Sequence, residues 1–90
     1  MRDVTHLIIR GKVQGVSFRA WAVREAANRN LDGWIRNRED GGVEAVLAGE
    51  PDAVRSVVAA CRSGPSLAVV TDVIELPAAE EPGQGFHIRT

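Results

Sequence analysis

The stretch IRGKVQGVSFRAW, residues 9–21, carries an apolar strand into the start of a helix across a turn that holds two glycines, Gly11 and Gly15. Upstream, residues 4–13 alternate. Thr5, Leu7, Ile9 and Val13 fall on one side, His6, Arg10 and Lys12 on the other, and only Ile8 is out of phase. That alternation predicts a strand with one covered face. Downstream, Phe18, Trp21, Ala22 and Ala26 recur at helical spacing and predict a helix over 18–29. Ser17 stands where an N-cap belongs, and Asn30 can supply the left-handed residue that ends the helix.

The rest of the chain repeats the theme. Residues 33–38 and 43–49 read as two strands joined by EDGG, and Asp-Gly is a hairpin signal. Residues 51–63 read as a second helix, with Pro51 in its first turn, Asp52 at its positive end and Gly64 stopping it. Its apolar stripe is Val54, Val57, Val58 and Cys61. Residues 67–76 predict a fourth strand and FHIR, 86–89, a short fifth, after the polar loop PAAEEPGQG at 77–85. The order βαββαβ predicts an α+β, ferredoxin-like sandwich: one mainly antiparallel sheet with both helices on one face, residues 1–90 forming a single domain. A right-handed crossover through the first helix makes strands one and two parallel, with another strand between them. Loop 11–18 and Asn37 then lie at the same edge of the sheet. Asn37 shares parity with Ile35 and so points to the helix side.

Composition narrows the function classes. Of 90 residues, 44% are hydrophobic and 26% charged, the balance of an ordinary globular chain. No apolar run is long enough for a membrane helix or a secretory signal, so a cytoplasmic protein that does not engage membranes is expected. One cysteine excludes a disulfide framework and a cysteine-cluster metal site. Net charge is −1, yet residues 1–38 hold eight Lys/Arg against three Asp/Glu and residues 39–90 hold three against nine. A local anion site and simple intermixing of charge on folding both fit that asymmetry.

The turn between strand and helix is where an anion site belongs. Backbone N–H groups at a helix start lack partners, and the helix dipole adds partial positive charge. Glycine lets the backbone curl, and Arg19 can place two parallel hydrogen bonds on a phosphate or carboxylate. Glycine spacing by itself leaves a plain turn and an anion site both open, and it matches neither the P-loop nor the dinucleotide fingerprint.

Two longer motifs say more. GKVQGVSFR at 11–19 resembles the signature G-x-V-Q-G-V-x-F-R of the acylphosphatase family, and GWIRNREDGGVE at 33–44 resembles its second motif, GW-x-x-N followed by DG-x-V. GFHIR at 85–89 is similar to the family's C-terminal pattern. The departures are Ile35 for a smaller residue, Arg29 for an apolar one, and Asn30 where a glycine is usual, all in packing and helix ending.

The resemblance implies hydrolysis of the carboxyl–phosphate bond of a small-molecule acyl phosphate. It implies a phosphate held by Arg19 and the backbone amides of Gly15, Val16, Ser17 and Phe18, and an attacking water oriented by Asn37. It implies no metal and no organic cofactor, and a monomer is expected. The alternative is an idle anion-binding or regulatory module on the same fold. An RNA-recognition domain shares the topology, but its aromatic strand motif is missing and only four aromatics are present, so no nucleic-acid partner is expected. Cys61 reads as a buried hydrophobe, His6 and His87 as solvent-facing histidines of terminal strands, and Trp21 and Trp34 as packing residues.

Overall fold

The alternating segment becomes β1 (Asp3–Lys12), in which Leu7 and Ile9 are fully buried and Arg10 is exposed. The computed structural model describes residues 2–78 and 80–90, and continues with α1 (Phe18–Asn28), β2 (Asp32–Asn37), β3 (Val43–Gly49), α2 (Pro51–Cys61), β4 (Val69–Pro77) and β5 (Phe86–Ile88). The five strands lie in the order β4-β1-β3-β2-β5. β3 is antiparallel to β1 and to β2, so β1 and β2 run parallel on either side of it, as a crossover through α1 requires. β4 joins β1 antiparallel, whereas β5 joins β2 in parallel, so the sheet is mixed. Of the connecting segment 77–85, residue 79 lies outside the described residues.

Both helices cover one face of this sheet, giving the expected ferredoxin-like layering. α1 buries Phe18, Ala22 and Ala26, and α2 buries Val54, Val57, Val58 and Cys61, against Leu7, Ile9, Ile35, Val43, Ala45 and Leu47 of the strands. Each fully buried large aliphatic or aromatic side chain contributes about 1.5–3 kcal/mol relative to exposure. Burial pushes the Cys61 thiol up to about 12, so it packs as a hydrophobe and is no nucleophile. Gly33 sits at φ +138° where a Cβ would fall 1.8 Å from the Val46 carbonyl oxygen, so only glycine lets β2 lie this close to β3.

Element ends differ from the pattern by a residue or two, each for a local reason. α1 stops at Asn28 because Asn30 turns left-handed at φ +55°, and the Leu31 amide bonds back to the Ala26 carbonyl at 3.0 Å. α2 stops at Cys61, where the amides of Ser63 and Gly64 both return to the Ala60 carbonyl and tighten the last turn. β4 starts at Val69 because residues 65–68 close a turn through Ala68 N–H to Pro65 C=O at 3.0 Å.

The second face of the sheet is more built than the alternation suggests. Ile8 and Val46 are buried there, and Val46 lines a recess with Trp34 and the 80–82 chain. His6 does not face solvent from an edge strand: β1 is interior, and His6 Nε2 lies 2.6 Å from Oε2 of Glu44 with its ring edge-on to Trp34. Arg36 Nε donates to the other Glu44 oxygen at 2.8 Å, and an Arg38 guanidinium nitrogen stands 3.6 Å from it. Burial pushes the Glu44 carboxyl up, but hydrogen bonds from Arg36 and His6 outweigh this and hold it below its ordinary value of 4.5.

That shift sets a sign for stability against pH. With a folded pKa below the unfolded one, ionised Glu44 stabilises the fold above pH 4.5, and the contribution is lost as pH falls through the lowered folded value. Glu44→Gln should therefore be less stable than the parent at pH 7, and urea unfolding across a pH series should show the gap narrowing in acid. A gap that stays constant down to strongly acidic pH would count against this role.

Candidate active site

Between β1 and α1 the loop anchors every other face of itself. Val13, Val16 and Phe18 are buried, Gly15 and Ser17 are exposed, and Arg19 is half-buried. Phe18 also packs edge-to-face on Trp21, with ring centroids 5.2 Å apart. The loop backbone is left-handed at Gly15 (φ +73°) and again at Ser17 (φ +65°). Left-handed residues in such a turn gather successive N–H groups on a concave side, the geometry of an anion nest. At Gly15 a Cβ would meet nothing within 4 Å, so its demand for glycine is conformational.

Ser17 does not cap α1 as its type suggests. A capping serine needs an extended backbone to aim its oxygen at the first-turn amides, and the left-handed Ser17 makes no side-chain cap hydrogen bond. Its carbonyl instead accepts the Trp21 amide at 3.0 Å. The positive end of α1 is left without an acidic side chain as well, since no Asp or Glu occupies its first turn.

Asn37 is the last residue of β2 and pairs with Val43 across the ladder. Its parity with the fully buried Ile35 directs it to the helix side, where it is exposed. Its neighbours Arg36 and Arg38 reach Glu44 on the other face. Past Asn37 the chain turns tightly: Arg38 N–H donates to the Gly42 carbonyl at 2.9 Å, and the Gly42 amide donates to Asp40 Oδ1 at 3.0 Å.

These pieces meet in one open recess of about 210 Å³, lined by Gly15, Ser17, Phe18, Arg19 and Asn37, with Val13, Ala20 and Ile88 as its apolar wall. Of the six site residues that the resemblance implies, Val16 alone stays off the lining, and the turn's other glycine, Gly11, lies away from it. Its side chain is in the core, which leaves the backbone amide as the group it can offer. Ala20 and Ile88 escaped the sequence reading. Ile88 arrives because β5 pairs with β2, placing Ile88 beside Ile35, and nothing in FHIR names its partner strand. Arg19 joins no ion pair among the described residues, unlike Arg2, Arg29, Arg36, Arg38 and Arg55. A second recess of similar size, at Arg10, Gly11 and Asp40–Gly42, also holds an arginine without an ion pair among the described residues, but it carries the Asp40 carboxylate, which Arg38 and the Gly42 amide engage, where the first recess carries no acid. Among the described residues no three His, Cys, Asp or Glu side chains converge as metal ligands.

The acylphosphatase family model matches residues 5–88 of this chain. An acylphosphatase of Azorhizobium caulinodans is 47% identical over 89 residues, covering 98% of this chain and 96% of the relative. Among solved structures, an acylphosphatase from Coxiella burnetii superposes with a TM-score of 0.92 at 33% identity, covering 98% of this chain and 93% of that one. The acylphosphatase from Bacillus subtilis gives 0.91 at 36% identity, each chain covered completely. With both motifs folded around one recess and the likeness running the length of the chain, this protein belongs to the acylphosphatase family.

Proposed function

We propose that this chain hydrolyses acyl phosphates to a carboxylate and inorganic phosphate, using the recess between the β1–α1 loop and the end of β2. Family membership supports the reaction, and the observation that carries the site assignment is that Arg19 and Asn37 line one recess with Gly15, Ser17 and Phe18. In this reading the phosphoryl oxygens bind the amides of residues 15–19 and the Arg19 guanidinium, whose paired donors match two oxygens at once. The Asn37 amide can both donate and accept, so it holds a water in line with the phosphorus–carboxylate bond.

The chemistry asks for little more. Water oxygen bonds to phosphorus while the bond to the acyl oxygen breaks, and the carboxylate leaves with the electron pair. Its conjugate acid has a pKa of about 4, so it departs without a general acid. Arg19 is the one ionisable side chain on the recess lining, so the proton of the attacking water passes to a phosphoryl oxygen. Catalysis then rests on positioning and on charge stabilisation of the equatorial oxygens. The same reading takes a small-molecule substrate, no cofactor, a monomeric working form and a cytoplasmic setting.

Steady-state hydrolysis of benzoyl phosphate tests the whole, because a binding module on this fold would not accelerate it. Arg19→Ala should lower kcat/KM by about 10²–10³-fold or more and weaken competitive inhibition by inorganic phosphate, with Arg19→Lys a poor substitute. Wild-type turnover and inhibition in Arg19→Ala would place the site elsewhere.

Asn37→Ala separates binding from chemistry. Turnover should fall by about 10²-fold or more while the phosphate inhibition constant holds, the pattern of a lost transition-state interaction. Both constants are to be measured on a variant whose circular dichroism and melting match the parent. Collapse of phosphate inhibition along with turnover would make Asn37 a phosphate ligand instead.

A further inference from the structure

β1 and β2 are not neighbours in the sheet, because β3 runs between them. β3 pairs with both strands, but its ladder to β1 ends at Ile9–Val43, so no ladder bond reaches from the turn after β2 to the loop at residues 13–17. Yet the recess is made of one half from each, with Gly15, Ser17 and Arg19 on the first and Asn37 on the second. The ladders bring the two halves to one edge, and a tie beyond the ladders sets their final separation if a water on Asn37 is to stay in line with a phosphate on the loop.

Gln14 spans that gap. Its side-chain Nε2 donates to the Arg38 carbonyl at 2.7 Å and to the Gly42 carbonyl at 2.9 Å. Both partners are acceptors, which settles that the NH₂ end of the amide faces the turn. The two carbonyls belong to the residues just beyond the Asn37–Val43 ladder pair, one at each end of the hairpin turn. At its other end Gln14 lies in the chain between Val13 and Gly15, which both line the recess. Gln14 itself is half-buried and off the lining. An NH₂ group with two hydrogens is what two converging carbonyls require, and neither glutamate nor methionine can supply it.

We infer that Gln14 is a positioning residue of the reaction, a clamp that sets the distance between the phosphate-binding loop and Asn37. The inference rests on the water-orienting reading of Asn37 and deepens it. The clamp acts on the register between the two halves and not on either half alone. The phosphate cradle, held by Val13, Val16 and Phe18 in the core, keeps its shape when the clamp is cut. The attacking water loses its alignment, and a misplacement of about 1 Å is enough to cost about 100-fold in rate.

The test is a double-mutant cycle on the full chain, with Gln14→Met, Asn37→Ala and the two combined, reading benzoyl phosphate turnover and inhibition by inorganic phosphate well below each melting temperature. Gln14→Met should lower kcat by about 10- to 100-fold, leave the phosphate inhibition constant within about twofold, and cause no further loss in the Asn37→Ala background. A merely structural glutamine would lower the melting temperature and leave kcat of the folded protein unchanged, and that result overturns the inference. So does a loss that multiplies with that of Asn37→Ala, or a phosphate inhibition constant that shifts as far as kcat. Should Gln14→Met not fold, Gln14→Asn, which keeps the amide but retracts it by one methylene, carries the same cycle. The two readings fail distinguishably. An impaired Asn37→Ala beside an unimpaired Gln14→Met removes the clamp alone, while an unimpaired Asn37→Ala removes the water-orienting reading and the clamp with it.

Discussion

β3 is buried along all seven of its residues and hydrogen-bonds antiparallel to β1 on one side and to β2 on the other. A strand so placed leaves its two partners no choice of direction: they run parallel, and their C-terminal ends emerge together at one edge of the sheet. α1 spans the gap as the crossover, and its first turn arrives at that same edge. The meeting of the glycine loop and Asn37 is therefore a consequence of sheet topology before it is a matter of side chains. The close approach of β2 to β3 at Gly33, where any Cβ would collide with the Val46 carbonyl, belongs to the same constraint.

The charge asymmetry of the chain resolves in the fold mostly by intermixing. Arg2 of the basic half reaches Asp32 and, across nearly the whole chain length, Glu81. Arg36 and His6 close on Glu44, and Arg38 on Asp40. The exposed pairs, Arg2 with Asp32 and Glu81 and Arg38 with Asp40, contribute little to stability, about 0–1 kcal/mol each, whereas Glu44 is buried. What matters for the site is that they occupy Arg36 and Arg38, which flank Asn37, and leave Arg19 without a carboxylate partner among the described residues.

Local chemistry was legible in the sequence wherever one element's own pattern carried it. Alternation placed Leu7 and Ile9 in the core, helical spacing placed Ala22 and Ala26, Asn30 took the left-handed backbone its type allows, and strand parity sent Asn37 to the helix side. Relations between distant segments were not legible. Nothing near His6 announces Glu44, and nothing in the fifth strand announces that it lies parallel to β2 and brings Ile88 to the recess. Ser17 shows a third limit. Its residue type favours a cap, but the flanking anchors Val16 and Phe18 impose a left-handed turn that a capping serine cannot make. Tertiary anchoring overrode local preference at the point where the candidate site begins.

The uncapped start of α1 couples two properties that are separate in most helices. On the proposed reading, an anion seated in the loop serves the first-turn amides in the way a capping side chain would, so ligand occupancy and helix stability draw on the same donors. Anything that binds the folded state alone raises its stability by mass action. Inorganic phosphate is then at once the product, an inhibitor and a stabiliser of α1. Conventional thermostabilisation of this helix, by moving an aspartate into its first turn, would seat a permanent intramolecular inhibitor in the substrate's place. Selection for turnover would hold that end of the helix unfinished.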